Sequence, residues 1–419
     1  MRRVLQLRGY RRLLIGTLLN QLATEISAVA LSLLVYRRTG SALGASAFFL
    51  CVQFGPALLS PPVVARLDQR SARLTLVLLY ALEVAVFIAL AWLAHHYSTV
   101  AVLALTLVMG TLALVARVLT RAAWTEITSG EGLLREAQAI TNTMLSLAYM
   151  AGPAIGGAVV AVGGTRAALL VNAGVFLVMA VNILTSVGLP PARTDQESAR
   201  GRVRAAVAYA RAHPLARRLL GLQGVALLFF SISIPVEVVF ARHSLHTGSS
   251  GYGGLLSAWG AGAVLGSGVY ARWRAWPGRV MMVFGSVLFA AGFACMAAAP
   301  SLAVALVGSG IAGVGEGVQF VAARNALQEI VSRRWMALML SFNESLIQAV
   351  FGAGILLGGA IAATAGPRAA LAVGAAGSLA IAAALRLSLP AQMGREPSAA
   401  SEAGLEGPDT DLTATAGRT

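Results

Sequence analysis

The sequence predicts an all-α membrane protein, with twelve transmembrane helices arranged as two pseudo-symmetric six-helix bundles. Three observations predict it. First, 57% of the 419 residues are hydrophobic and only 12% are charged, with a mean hydropathy of +0.75, whereas an ordinary soluble domain carries about 25% charged residues. Second, apolar runs near the length of about 20 residues that a membrane helix needs recur along the chain, with arginines gathered between them. Third, short signatures in the first half return in order in the second. So few charges could not cover a soluble enzyme of this length, and so much hydrophobicity excludes a disordered chain.

The spans follow from where the charges stop. No Asp, Glu or Arg occurs in 39–65, 84–116, 137–165, 167–192, 243–271, 280–315, 345–367 or 369–385. Two of these runs are too long for one helix. They break at His95-His96-Tyr97-Ser98 and at Ala299-Pro300-Ser301, both with turn chemistry. Admitting single buried charges gives spans at 13–36, 43–65, 74–94, 99–121, 137–162, 167–189, 218–240, 251–271, 280–298, 302–324, 337–363 and 368–388. The first apolar run is too long for a cleavable signal peptide and lacks a small-residue cleavage site.

These spans divide the chain. Residues 1–190 form the N-terminal bundle, closed by Pro190-Pro191, and residues 218–390 form the C-terminal bundle. Between them, 191–217 is a basic linker. Within it Arg200 to Arg211 alternates arginines with Val203, Val207 and Ala210, the pattern of a short amphipathic helix lying on the membrane face. From 391 to 419 the tail is rich in Gly, Ser, Ala and Thr with scattered acids, and is expected to be disordered and cytoplasmic.

Charge placement sets orientation and partners. With an even number of spans both termini share one side. Only Arg37, Arg38, Arg166, Arg242 and Arg368 fall on the other, so the termini are expected in the cytoplasm, with the chain in a bacterial plasma membrane. The net charge of +15 comes from arginines spread between apolar runs, which suits anionic lipid headgroups rather than nucleic acid. All 32 basic residues are arginine. No P-loop lysine can therefore grip a nucleotide, and no Schiff base can form. Cys51 and Cys295 lie inside apolar runs, and no Cys/His ligand spacing suggests a metal. His95-His96 reads as an outer loop, since neighbouring helical side chains point apart. Gly308-Ser309-Gly310-Ile311-Ala312-Gly313 matches a dinucleotide fingerprint but lies inside a span with no preceding strand.

The chain repeats itself at a spacing of roughly 200 residues. Thr39-Gly40-Ser41 returns as Thr247-Gly248-Ser249. Arg121 to Glu126-Ile127 returns as Arg324 to Glu329-Ile330. Gly152-Pro153-Ala154-Ile155-Gly156-Gly157 returns as Gly354-Ile355-Leu356-Leu357-Gly358-Gly359. Gly164-Thr165-Arg166-Ala167-Ala168-Leu169 returns as Gly366-Pro367-Arg368-Ala369-Ala370-Leu371.

Two parallel six-helix halves joined by a basic loop resemble the major facilitator superfamily. Arg8-Gly9-Tyr10-Arg11-Arg12-Leu13, Thr39-Gly40-Ser41, Leu134-Arg135-Glu136-Ala137 and Gly152-Pro153-Ala154-Ile155-Gly156-Gly157 are similar to its drug-exporter branch of macrolide-efflux and enterobactin-exporter-like proteins. The resemblance covers about residues 8–390. It implies alternating access around a cavity lined mainly by spans one, four, seven and ten. The loop after span two, Val64 to Arg73, keeps the family's aspartate as Asp68 but lacks its glycines. Arg117 is placed near the cytoplasmic end of span four, so no mid-span arginine is expected there.

Intramembrane carboxylates are the first candidates for chemistry. A charge at mid-bilayer costs roughly 2.5–3.5 kcal/mol on insertion scales, and low dielectric favours the neutral form of such a group, so it can load and release a proton. Glu25 lies near the middle of span one with Gln21 one turn before it, Glu316 lies in span ten beside Gln319, and Glu237 lies in span seven after Pro235. The resemblance favours these three as proton-coupling sites over Glu83 in span three and Glu344 in span eleven. Asn20, Gln21, Gln53, Gln223, Gln319, Asn343 and Glu344 are candidate cavity groups. Gly152, Pro153, Gly156, Gly157, Gly354 and Gly358 are candidates for flexing against neighbouring helices. Asp68, Arg73, Arg121, Glu126, Arg324 and Glu329 could form ion pairs that close the cytoplasmic side.

The expected function is secondary transport: export of an amphipathic or hydrophobic drug or secondary metabolite, driven by proton antiport. A monomer is expected, with a small-molecule substrate, protons and lipids as partners and the proton gradient in place of any cofactor. The alternatives are movement of a polar metabolite or siderophore, which would call for cationic or densely hydrogen-bonding cavity groups, and a non-transporting receptor or scaffold, which would call for large soluble domains. An enzyme is not expected, since neither His-Glu-x-x-His nor Gly-x-Ser-x-Gly occurs.

Overall fold

The computed structural model describes residues 2–67, 71–185, 209, 211–273, 275–331 and 336–390. Every regular element among them is helical. After the short α1 (Arg2–Gln6) come α2 (Arg8–Thr39), α3 (Ala42–Phe49), a π-helical turn (Leu50–Phe54) and α4 (Gly55–Leu67). Then follow α5 (Ala72–Leu93), α6 (Thr99–Gly130) and α7 (Leu134–Leu184). The second half holds α8 (Pro214–Val239), a π-helical turn (Phe240–Ser244), α9 (Ser249–Arg272), α10 (Gly278–Ala298), α11 (Leu302–Ile330), α12 (Met336–Ala365) and α13 (Pro367–Ser388).

Among the described residues nine helices are long and apolar enough to cross a membrane. The expected twelve differ from these for physical reasons. The 51-residue α7 joins two helices across a break at Gly164, which leaves helical geometry at φ 75°, ψ 176°, so the two spans expected there count as one. α9 dilutes its apolar residues with glycine and serine, and α12 is described only in part. The linker at 191–208 and the tail from 391, with the amphipathic helix and the disorder expected of them, lie outside the described residues.

Turn residues fall where the sequence places them. Gly40 ends α2 in the left-handed region at φ 61°, and the Ser41 side chain then accepts from the Gly44 N–H at 3.4 Å to cap α3. Ser98 does the same for α6 through the Ala101 N–H. The duplicated Thr247-Gly248-Ser249 does not repeat this geometry. There His246 takes the positive φ, at 52°, and Gly248 stays extended. The duplicate at Gly164 and Gly366 agrees closely: both stand at positive φ, 75° and 89°.

Packing follows the duplication. In the first half α7 packs on α2 and α5, and α6 on α4 and α5; in the second α12 packs on α8, and α11 on α9 and α10. Helices in lipid gain little from burying apolar groups against each other, so close backbone approach and interhelical hydrogen bonds hold them. A Cβ at Gly315 would press on the Phe289 and Gly285 backbones, and one at Gly313 on the Trp259 carbonyl. Asn172 Nδ2 donates to the Ala23 carbonyl at 3.0 Å, and Ser309 Oγ to the Leu255 carbonyl at 2.7 Å.

The halves meet crosswise. A Cβ at Gly157 of α7 would lie 2.8 Å from the Ser249 carbonyl of α9. One at Gly359 of α12 would lie 2.9 Å from Ser46 Cβ of α3. Ser46 Oγ also donates to the Ile355 carbonyl at 3.0 Å. These contacts lie toward the end of the bundle that carries Gly40 and Gly248, remote from α1.

Candidate functional site

Glu25 sits near the middle of α2, and the amide of Gln21, one turn earlier, donates to Glu25 Oε1 at 2.7 Å. Two other helices complete the cluster. Arg117 is half-buried and close enough for its charge to act on Glu25. Tyr149 of α7 reaches the Gln21 side chain and senses both charges. Gly152 makes room: a Cβ there would lie 2.6 Å from Glu25 Cβ. The placement of Arg117 near a helix end is corrected here. α6 is 32 residues long and continues to Gly130, well past its apolar run, so Arg117 stands inside the bundle.

Glu237 is buried in α8, one turn before the π-helical turn. Its charge is felt by Tyr252 of α9 and by Glu316 of α11. Tyr252 in turn reaches Ser32 of α2 and senses Glu25. The three favoured carboxylates thus share one electrostatic interior. Glu316 lies beside Trp259, yet Glu316 Oε2 and Trp259 Nε1 are buried and neither completes a hydrogen bond.

Beside Glu316 a small cleft lies between α8, α10, α11 and α13. Gln223 and Gln319 line it with Phe230, Ser286, Phe289 and Ser378. Asn20 is buried on α2, where its Oδ1 accepts from Thr24 Oγ1 at 3.5 Å. Gln53 is half-buried on the first π-helical turn, away from this cleft. Asn343 and Glu344 fall on α12, but their side chains lie outside the described residues, as does Asp68. Glu83 is fully buried in α5 beside Tyr80, with neither oxygen hydrogen-bonded.

At the end nearer α1, Arg73 donates to the Leu184 carbonyl. Arg121, Glu126, Arg324 and Glu329 are exposed, and among the described residues none of the four forms an ion pair. Desolvation pushes the Glu329 carboxyl above the usual carboxylate range. The duplicated glycines make equivalent contacts: Gly156 of α7 presses on the Ile26 backbone of α2, and Gly358 of α12 on the Ile232 backbone of α8. In the same repeat Gly152 meets Glu25, whereas Gly354 meets Ser231. Tyr149, Trp259 and Phe230 carry no sequence signal, because an aromatic side chain in an apolar run reads the same whether it faces lipid or a cleft. The π-helical turns were equally silent.

A family model described as transmembrane secretion effector matches residues 5–417. The chain belongs to this family, within the major facilitator superfamily. None of the curated proteins matches the sequence. Among solved structures, a variant of the nucleoside transporter NupG is similar at a TM-score of 0.69. It is 14% identical, over 90% of this chain and 99% of that one. A bacterial homologue of the iron transporter ferroportin, in an inward-facing state, is similar at 0.69 and 14% identity, over 91% and 98%. The POT family transporter PepTSo matches at 0.69 and 10% identity, over 91% and 97%. At such identities these likenesses show the fold of this secretion-effector family member and not its cargo.

Proposed function

We propose that this protein is a secondary active transporter, with twelve spans in two six-helix halves, that exports amphipathic or hydrophobic small molecules by proton antiport. One observation carries the reading: Glu25, held by Gln21 and set beside Arg117 and Tyr149, sits in the interior between halves whose close backbone contacts gather toward one end of the bundle. A carboxyl in that setting can exchange a proton as the halves rock and its surroundings change. The α7/α9 and α3/α12 seams fit such rocking, because their glycines let backbones slide without side chains to disengage. In the opposite state the exposed Arg121, Glu126, Arg324 and Glu329, with Asp68, come together and close the other end.

The protein works as a monomer in a bacterial plasma membrane with both termini in the cytoplasm, and it draws on the proton gradient rather than a cofactor. The test is flux in proteoliposomes under an imposed pH gradient, read across a panel of amphipathic compounds. Gradient-driven flux that Glu25→Gln abolishes supports the reading. Full coupled flux in that variant overturns the role of Glu25.

A further inference from the structure

The loop between α9 and α10 departs from its duplicate in the first half. Arg66-Leu67-Asp68-Gln69-Arg70-Ser71-Ala72-Arg73 and Arg272-Trp273-Arg274-Ala275-Trp276-Pro277-Gly278-Arg279 hold the same place in the repeat. Their last arginines act alike. Arg73 donates to the Leu184 carbonyl at the end of α7, and Arg279 to the Arg386 and Leu389 carbonyls at the end of α13, at 3.3 and 3.0 Å. That register pairs Leu67 with Trp273, Asp68 with Arg274 and Arg70 with Trp276. The second loop therefore lacks the acid of the first and carries two indoles in its place. Asp68 and Arg274 themselves lie outside the described residues.

Trp273 follows α9 directly, and Trp276 stands two residues before α10, a helix long and apolar enough to cross a membrane. Their rings stack with centroids 5.6 Å apart at 15°, and Phe284 meets Trp273 edge-on at 5.9 Å. The Trp276 N–H donates to the Trp273 carbonyl at 2.9 Å, which holds the turn that presents both rings. The rings are nonetheless 40% and 50% exposed. Arg272 is exposed next to them, and Arg279 ties the end of α13, with exposed Arg386 and Leu387, to the same loop.

Indole rings favour the depth of lipid headgroups, where an apolar body and a polar edge are both satisfied. Arginines at that depth attract phosphate. A free anion would leave the two rings and Leu387 in water, and a zwitterionic lipid brings its own cation among the arginines. We propose that the α9–α10 loop and the end of α13 form a binding site for an anionic phospholipid of the adjoining leaflet. Arg272 and Arg386 hold its phosphate, and Trp273, Trp276 and Leu387 lie along its glycerol and upper chains. The site goes beyond the transporter reading and does not depend on it.

The test is native mass spectrometry of the purified, delipidated full-length protein in detergent, titrated with phosphatidylglycerol or with phosphatidylcholine of the same chains. Saturable retention of phosphatidylglycerol is expected at concentrations where phosphatidylcholine is not retained. Arg272→Gln and Arg386→Gln should each weaken it roughly fivefold, the loss expected for one basic residue at an anionic membrane surface. Arg272→Lys should retain most of it, and Arg166→Gln, exposed at the other end of the bundle, should leave it unchanged. The double variant Trp273→Leu, Trp276→Leu should weaken it roughly two- to tenfold. Melting temperatures near that of the parent protein show that each variant is folded. Equal retention of the two lipids overturns the proposal, as does phosphatidylglycerol retention unchanged in Arg272→Gln and Arg386→Gln, or unchanged in the tryptophan variant. Glycerol phosphate, which lacks chains, should compete poorly. Displacement of the lipid by glycerol phosphate at equal concentration overturns the lipid as occupant.

Discussion

Glu25 holds an acid where a charge at mid-bilayer costs about 2.5–3.5 kcal/mol, and the Gln21 hydrogen bond and the nearby Arg117 offset part of that. Replacing Arg117 with glutamine removes the positive charge that acts on Glu25. Proton-driven flux in Arg117→Gln should then shift along the pH axis, while binding of a neutral cargo stays as it was. Flux measured against pH in proteoliposomes checks this, and an unshifted profile would separate Arg117 from coupling. Both Glu25 and Glu316 were legible in the sequence because a lone carboxylate in an apolar run is conspicuous. Tyr149, Trp259 and Phe230 were not, since their roles depend on which way each helix is turned.

Helices carry the next level of evidence in their breaks. Gly164 adopts φ 75°, ψ 176°, a region essentially reserved for glycine, where another residue costs about 1–3 kcal/mol. Gly164→Ala should therefore lower the thermal stability of the purified protein, as should Gly366→Ala at the duplicated break. A parent-like melting temperature in both would mean that neither position is required. At the α7/α9 seam, Gly157→Val forces a side chain onto the Ser249 carbonyl, an overpacking that typically costs about 1–3 kcal/mol. Transport per folded molecule should fall more than expression does, which a comparison of flux with the amount of monodisperse protein would show.

Across the whole molecule the crosswise seams make a lock that can be engineered. Gly359 stands so close to Ser46 that a cysteine pair at these positions needs only a small relaxation to reach disulfide spacing. With Cys51 and Cys295 changed to alanine, the Ser46→Cys, Gly359→Cys protein should stop transporting when oxidised and recover when reduced. Undiminished flux in the fully cross-linked protein would mean that this seam never opens. Reporter fusions test the topology separately. Fusions after Gly40, Gly248 and Gly366 should report one side of the membrane, and those after Gly132 and Pro277 the other.

The sequence by itself determined the membrane class, the helical content, the turns near His95 and Pro300, and the doubling of the chain. Each of these is local or periodic: apolar run length, turn chemistry and repeated signatures need no knowledge of what lies across the bundle. Only the tertiary structure decided that the charge of Arg117 acts on Glu25, that Gly157 and Gly359 seat the halves crosswise, and that Glu316 lies beside Trp259 and lines a cleft with Phe230 and Phe289. Those outcomes depend on the rotation and depth of each helix. Lipid and protein interior are both apolar, so the hydrophobic pattern that marks a spanning helix does not say which of its faces turns inward.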